Sequence, residues 1–473
     1  MALGRRKTEQ QKAFWIAAGD LPRSEGHVFY RKLNGLLSEA GFDKFVETLC
    51  GPHYHDTHGR PGIPPGVYFR MLLVGYFEGI GSQRGIAWRC NDSLSLRDFL
   101  GVPLTEDAPD HSSLSRVRER LPVEVHAAVF QFVLQVAEAK GLLKGKTIAV
   151  DATTLEANAA MKSIVRRDTG EDWNEYVKRL MQEADEIAEG DEPTVEEIAR
   201  FDRKRKDKKV SNREWQSETD ADSRITKMKD GRTHLAYKAE HAIDLDTDMI
   251  LAAPVYHADE SDGDTIGPTV SEAQDNLVAA DSQAEIKEVV ADKGYCTNET
   301  LAELEFTEGL RTYVAEPKQN RHRNWKNKPQ EQRQAVTNNR RRVRGDRGRA
   351  LQRVRSEKVE RSFAHVCCTG GARRAWLRGI DKVRKRHLMT AMAHNLGVVM
   401  RGLFGIGTAR SLQGLGSLAD GLYFTLLNIL RLLEPMFAPT SRTLARSPLP
   451  NRGRREVHFN QINQPKATFS TGC

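Results

Sequence analysis

Two short runs share one grammar that constrains the fold more than any other feature of the chain. "TIAVDATT" carries the apolar run Ile148 to Val150 straight into Asp151, and "EVVADKGY" carries Val289 to Ala291 into Asp292. Such short apolar runs fit strands buried on both faces. Aspartate is a poor strand former and an expensive group to bury. Each acid is therefore expected where its strand stops and water begins. If both strands lie in one sheet with the same polarity, both carboxylates emerge at the same edge, where open α/β sheets put their sites.

Two carboxylates held there repel unless they are protonated or bridged by cations. Oxygen-only ligands of this kind suit Mg²⁺ or Mn²⁺. A third acid is available in "SEKVERSF", where Val359, Phe363 and Val366 make an apolar stripe and Glu360 sits at its border; Glu357, one turn earlier, is the fallback. Three acids holding two cations are an apparatus for phosphodiester chemistry. Asp244 also follows a strand-like run. It reads as a turn acid in "DLDTD", and it is the rival for second metal ligand.

Charge points the same way. The 473-residue chain carries a net +8, and Arg321 to Arg355 alone hold thirteen lysines and arginines against two acids. A tract so basic implies a polyanionic partner, most often nucleic acid. The apolar stretches near the C-terminus, such as "LYFTLLNIL", are about half the length that spans a bilayer. The N-terminus shows no secretory pattern, so a cytoplasmic protein is expected. Six cysteines without regular spacing fit a reducing compartment. The cluster Cys50, His53, His55 and His58 reads as a polar loop, with a zinc site as the alternative.

Residues 24–125 read as helices. "PPGVYFRMLLVGYFEGI" puts Val67, Met71 and Val74 on one face, and "PDHSSLSRVRERL" offers Asp110, Ser112 and Ser113 as N-caps. The latter helix carries Ser115, Arg116, Arg118 and Arg120 away from its Leu114–Val117–Leu121 stripe, which suits helix-turn-helix docking on DNA. A further helix spans 123–140. Residues 161–232 alternate acidic and basic blocks and read as a charged, helical or poorly ordered insertion. Strand signals at "THLAYKAEHAID", "MILAAPVYHA", "EIKEVVADKGY" and "LRTYVAEP", with a helix in "DTIGPTVSEAQDNLVAA", favour an α/β sheet. Helices return at "RALQRVRSEKVERSFAHV" and "RKRHLMTAMAHNLGVVMRGLF", before a polar tail over 406–473.

The motifs "GRPGIPPGVYFRMLL", "LSLRDFLGV", "PDHSSLSRVRERL", "VDATTLEANAA", "HLAYKAEHAIDLDT", "VVADKGY" and "VERSFAH…GGARRAWLRG…AMAHNL" closely resemble DDE transposases of bacterial insertion sequences, specifically the insertion-sequence-1182 group. The likeness runs from about residue 24 to 405. It implies an α/β, ribonuclease H-like catalytic domain over 126–405, interrupted by the insertion and preceded by an all-α, helix-turn-helix-like DNA-binding domain. It also implies Asp151, Asp292 and Glu360 as catalytic metal ligands, two Mg²⁺ or Mn²⁺ ions, and cleavage and joining of DNA at terminal inverted repeats. Dimers or higher assemblies are expected, because two element ends must meet.

Candidate DNA contacts are Ser115, Arg116 and Arg118 in the helical part, and Arg340, Arg341, Arg342, Arg353 and Arg355 in the basic tract at 320–356. Beside the acids stand Arg361, Arg373 and Arg374, together with Lys293 and Tyr295, which could equally pack locally. The chain departs from related enzymes around Glu360. Ser356 stands four residues before it and Cys367 seven after it, so the downstream base must come from elsewhere, Arg373 or Arg374. The rival readings are a nuclease of the same fold that cuts without joining, and a silent DNA-binding regulator.

Overall fold

The N-terminal stripes fold as helices. A computed structural model of the chain describes residues 15–17, 20–21, 26–55, 59, 62–188, 190–206, 210–228, 231–318 and 323–409. The tail from 410, including "LYFTLLNIL", and His58 lie outside the described residues. Among the described residues seven α-helices come first: α1 Gly26–Glu39, α2 Phe42–Cys50, α3 Pro65–Glu78, α4 Gln83–Asp92, α5 Leu94–Leu100, α6 His111–Arg120 and α7 Val123–Ala139. Local chemistry sets their ends. Ser82, Ser93 and Asp110 cap α4, α5 and α6 by accepting from backbone N–H groups, and α3 stops at Gly79, which takes the left-handed conformation (φ 70°).

Among the described residues nine strands follow: β1 Thr147–Glu156, β2 Ile164–Arg166, β3 Trp215–Ser217, β4 Arg224–Lys227, β5 Thr233–Asp244, β6 Ile250–Ala252, β7 Val255–His257, β8 Glu288–Ala291 and β9 Arg311–Val314. The main sheet runs β4-β5-β1-β8-β9, with β6 and β7 also paired to β5. β5 is antiparallel to β1, β4, β6 and β7, whereas β1, β8 and β9 are mutually parallel. β5 is buried without a break from Leu235 to Asp244, the pattern of a strand covered on both faces.

The remaining helices are α8 Trp173–Glu183, α9 Val195–Lys204, α10 Asp262–Ala279, α11 Asn298–Ala302, α12 Gln330–Arg344, α13 Asp346–Phe363 and α14 Ile380–Phe404. α14 is buried all round, with every residue from His387 to Gly397 inside, and it packs against α7, α3 and β6. It thereby ties the helical region to the sheet. Phe29, Phe77, Val133, Val150, Ile250 and Met392 belong to one continuous apolar core. Two helix asparagines complete strand backbones. Asn395 bonds the N–H and C=O of Ile250 (2.9 and 2.8 Å), and Asn339 does the same for Val314 (2.9 Å each), so neither strand leaves those groups bare. No helix among the described residues is long and apolar enough to cross a membrane.

The segment 161–232 is folded more fully than its charge blocks suggest. α8 and α9 each begin with a capping box, Asp172 with Glu175 and Thr194 with Glu197. β2 and β3 form their own ribbon, and β4 joins the main sheet. Trp215 is buried against Trp173 and Tyr176, with ring centroids 5.3 and 5.1 Å away. Those aromatics give the segment its small core despite the surrounding charge.

Candidate active site

Parallel register brings the two aspartates together. Val150 pairs with Ala291, the last rung between β1 and β8, and the next residues are Asp151 and Asp292. β8 stops there, because Asp292 caps the turn Lys293–Tyr295 by accepting from the N–H of Gly294 at 2.7 Å. β1 does not stop. It continues to Glu156, paired with β5, with Asp151 opposite His241. The expectation that Asp151 ends its strand is thus corrected: the ladder to β8 ends there, while the ladder to β5 carries the chain onward. Asp151 sits at a fork in the sheet, held on one side and open on the other.

α13 lies over this fork. Gln352 donates to the carbonyls of Ala291 (3.0 Å) and Tyr313, the ends of the two parallel strands. One turn on, Arg355 Nη1 donates to Asp151 Oδ2 at 2.7 Å. Val359 is buried beneath the next turn, and Glu360 beside it is exposed. These positions recur on one helix face. Asp151, Thr153, Thr154, Glu360, Cys367, Cys368 and Arg373 line one cleft of about 470 Å³. A π-type turn at Ala364–Thr369 interrupts the helical path and turns Cys367 and Cys368 to the cleft.

Burial pushes the Asp151 carboxyl above its ordinary range, and the charge of Asp292 adds to this; the Arg355 guanidinium and the N–H of Ala152 oppose it. Asp292 stands outside the cleft lining, and its link to Asp151 is through register and charge. Among the described residues no three acids, histidines or cysteines stand close enough to hold a metal ion. Asp151 and Glu360 line one cleft, and Asp292 follows Ala291, the strand residue at the end of Asp151's ladder; carboxylate oxygens are the donor type that a hard cation takes. Arg355 supplies the positive charge at Asp151.

Asp244 is not in the cleft. It is fully buried and accepts from the N–H groups of Lys144, Gly145 and Asp246 and from the Thr247 hydroxyl, so it is the turn acid and not a second ligand. Glu357 is ion-paired to Arg361. Cys50 packs in the core, and burial pushes its thiol up to about 11.

The basic candidates divide. Arg116, Lys293, Arg341, Arg353, Arg373 and Arg374 are exposed. Arg340 pairs with Glu316 (2.9 Å), Arg342 with Glu305 (2.5 Å) and Arg361 with Asp248 (3.2 Å). Ser115 donates to Gln83 at 2.6 Å. Arg118 turns away from the outer face of α6 into a cavity against α14. Tyr295 is corrected as a DNA contact: it is 1 % exposed, and its hydroxyl donates to Glu240 at 2.7 Å.

Glu240 was hidden from sequence reasoning. This fully buried acid on β5 also accepts from Thr265 (2.9 Å) and Thr269. Lys238 stands 3.9 Å from it and 2.7 Å from Asp262. Gly294 lies so near Asp262 that an added Cβ would fall 2.3 Å from its carboxylate. The polar group thus fixes the turn that carries Asp292 from beneath. The available signal was a lysine and an acid inside an otherwise apolar strand, "LAYKAEHAI".

Residues 20–120 match the family described as Transposase domain (DUF772), and residues 308–400 match the family described as Transposase DDE domain. The second match contains Glu360, while Asp151 and Asp292 lie in the span between the two. No curated protein and no solved structure matches the chain. The two matches place a transposase domain in the helical part and a DDE domain toward the C-terminal part, and they support a transposase enzyme of the DDE type.

Proposed function

We propose that the chain is an insertion-sequence transposase of the insertion-sequence-1182 group, which cuts at the terminal inverted repeats of its element and joins the freed 3′ ends to target DNA. The observation that carries this is the rung Val150–Ala291, after which Asp151 and Asp292 follow on neighbouring strands, with Asp151 and Glu360 lining one cleft. The strand order, three antiparallel positions followed by β8 and β9 parallel to β1, supports a ribonuclease H-like domain over 126–405.

In this reading Asp151, Asp292 and Glu360 would hold two Mg²⁺ or Mn²⁺ ions, which would supply activation of the attacking oxygen and stabilisation of the leaving one. Arg355 orients the Asp151 carboxylate and opposes the upward pull of burial on its pKa. Thr153 and Thr154 leave room for a sugar-phosphate backbone. Arg373 faces the cleft as the downstream base that Cys367 does not supply, and Arg341 and Arg353 extend the cationic surface along α12 and α13. The helical region 24–125 grips the inverted repeat, with Arg116 on the outer face of α6. Two copies act together on paired ends.

The test is cleavage and strand transfer on pre-cut and intact inverted-repeat ends with Mg²⁺. Asp151→Asn, Asp292→Asn and Glu360→Gln are each expected to lower both steps by about 10³-fold, the scale of losing a group that stabilises developing charge. Full-rate cleavage by Asp292→Asn refutes the acid site. Hydrolysis without any joined product favours a nuclease instead.

A further inference from the structure

A second cavity, of about 270 Å³, opens between α3, α6, α14 and the loop around Gly370–Leu377. It shares no lining residue with the Asp151 cleft. Three cations face it, Arg118, Lys385 and Arg386, and no aspartate or glutamate is in its lining. The rest of the wall is largely aromatic or apolar, with Tyr68, Tyr76 and Trp376 most prominent.

Those cations are not fully used by the protein. Lys385, 7 % exposed, donates to the carbonyl of Arg118 at 3.1 Å. Arg386 donates to the carbonyls of Gly371 and Arg374 at 2.7 and 3.2 Å. Neutral carbonyls satisfy hydrogen-bonding capacity without cancelling charge; the acids that act on these cations, Asp381 and Glu124 on Lys385 and Glu119 on Arg118, lie outside the cavity lining. The Arg118 Nε is buried with no hydrogen-bond partner. Burial lowers the proton affinity of all three groups, and Arg118 lowers that of Lys385 and Arg386 further. Among the described residues, nearby Glu119 is bonded outward to Lys382.

The wall selects the anion. A bare oxyanion would leave the aromatic surface idle, and an apolar ligand would leave three charges unpaired. The Trp376 ring is 51 % exposed and carries Arg374 over its face at 5.2 Å. Gly81 keeps the mouth open, because an added Cβ would lie 3.1 Å from Trp376 Nε1 and 3.5 Å from Arg386 Nη2. Aromatic rings with nearby guanidinium groups are a surface for stacking a base beside its phosphate.

We propose that this cavity binds a nucleoside phosphate, with Arg118, Lys385 and Arg386 on the phosphate and Trp376 against the base. The same chemistry is offered by a free nucleotide and by one unpaired nucleotide at a DNA end.

The full chain is titrated calorimetrically with deoxyadenosine 5′-monophosphate and with inorganic phosphate. It is also titrated with two duplexes of one sequence, one blunt and one ending in a single unpaired nucleotide. Saturable binding of the monophosphate, tighter than that of phosphate, identifies a free-nucleotide site. Preference for the unpaired end without monophosphate binding identifies a DNA-end site. In either case Arg118→Met and Trp376→Ala are expected to weaken the interaction by about tenfold or more, the scale of one charge-assisted hydrogen bond. Asp292→Asn leaves it unchanged, which separates this site from the acid cleft. Thermal melts check each fold, and if Arg118→Met does not fold, the exposed Trp376 position decides. The proposal is overturned if neither monophosphate nor unpaired end is preferred, if phosphate binds as tightly as the monophosphate, or if folded Trp376→Ala binds like wild type.

Discussion

Arg355 Nη1 lies 2.7 Å from Asp151 Oδ2, and this pair spans 204 residues to join α13 to the fork in the sheet. Burial raises the Asp151 pKa and Arg355 holds it down. Arg355→Gln removes the restraint, so protonation of Asp151 persists to higher pH. The acidic limb of the pH–rate profile for DNA cleavage is expected to move upward in the variant. An unmoved limb would show that Asp151 does not govern it.

Tyr295 separates a packing role from a DNA contact. Tyr295→Phe removes one of three hydroxyl donors to buried Glu240, and losing such a donor costs about 1–3 kcal/mol. The melting temperature is expected to fall, and cleavage to fall with it as the Asp292 turn loosens. Lys293→Ala, at an exposed position, is expected to leave the melting temperature unchanged. Weakened DNA binding by Tyr295→Phe at an unchanged melting temperature would reverse this assignment.

Acid should unfold this protein early. His241 and His387 share a 2.9 Å contact in the core, and burial holds His387 and His394 down at about 4 from an ordinary 6.5. The unfolded chain takes up protons below 6.5 that the folded chain refuses. Stability is therefore full above 6.5 and is lost as pH falls toward 4, on the order of 3 kcal/mol for each of the two. Urea midpoints across that range measure it, and His387→Asn is expected to flatten the dependence.

The arginines of the basic tract are not equivalent. Arg341 and Arg353 are exposed, while Arg340 and Arg342 are engaged by Glu316 and Glu305. Replacing Arg341 and Arg353 by alanine should reduce the salt slope of DNA binding by about one each. Equivalent losses for Arg340 and Arg342 would mean that DNA displaces their carboxylate partners.

Local signals carried much of the architecture. Alternation and apolar runs found β1, β5, β8 and β9, and the paired "AVD" and "VAD" endings fall at the last β1–β8 rung, although β1 itself runs on past Asp151. Non-local pairing carried the rest. Nothing in "DATTLE" announces that β5 will hold β1 for six residues beyond Val150, because that ladder depends on a strand about ninety residues away. Arg355 read as a phosphate contact because its charge is visible in sequence and its partner is not. Likewise, the charge blocks of 161–232 outweighed Trp173, Tyr176 and Trp215, whose shared core exists only once β3 returns to α8.

The core that α14 shares with α3 and α7 has a consequence for how such a gene decays. A premature stop before residue 380 deletes α14 and strips the cover from Phe77, Val133 and Ile250 together. Such a fragment exposes a broad apolar surface instead of keeping a self-standing DNA-binding half, and exposed surface of that kind marks a chain for aggregation or proteolysis. Truncated copies of this chain are thus poorly suited to persist as folded competitors of the intact enzyme.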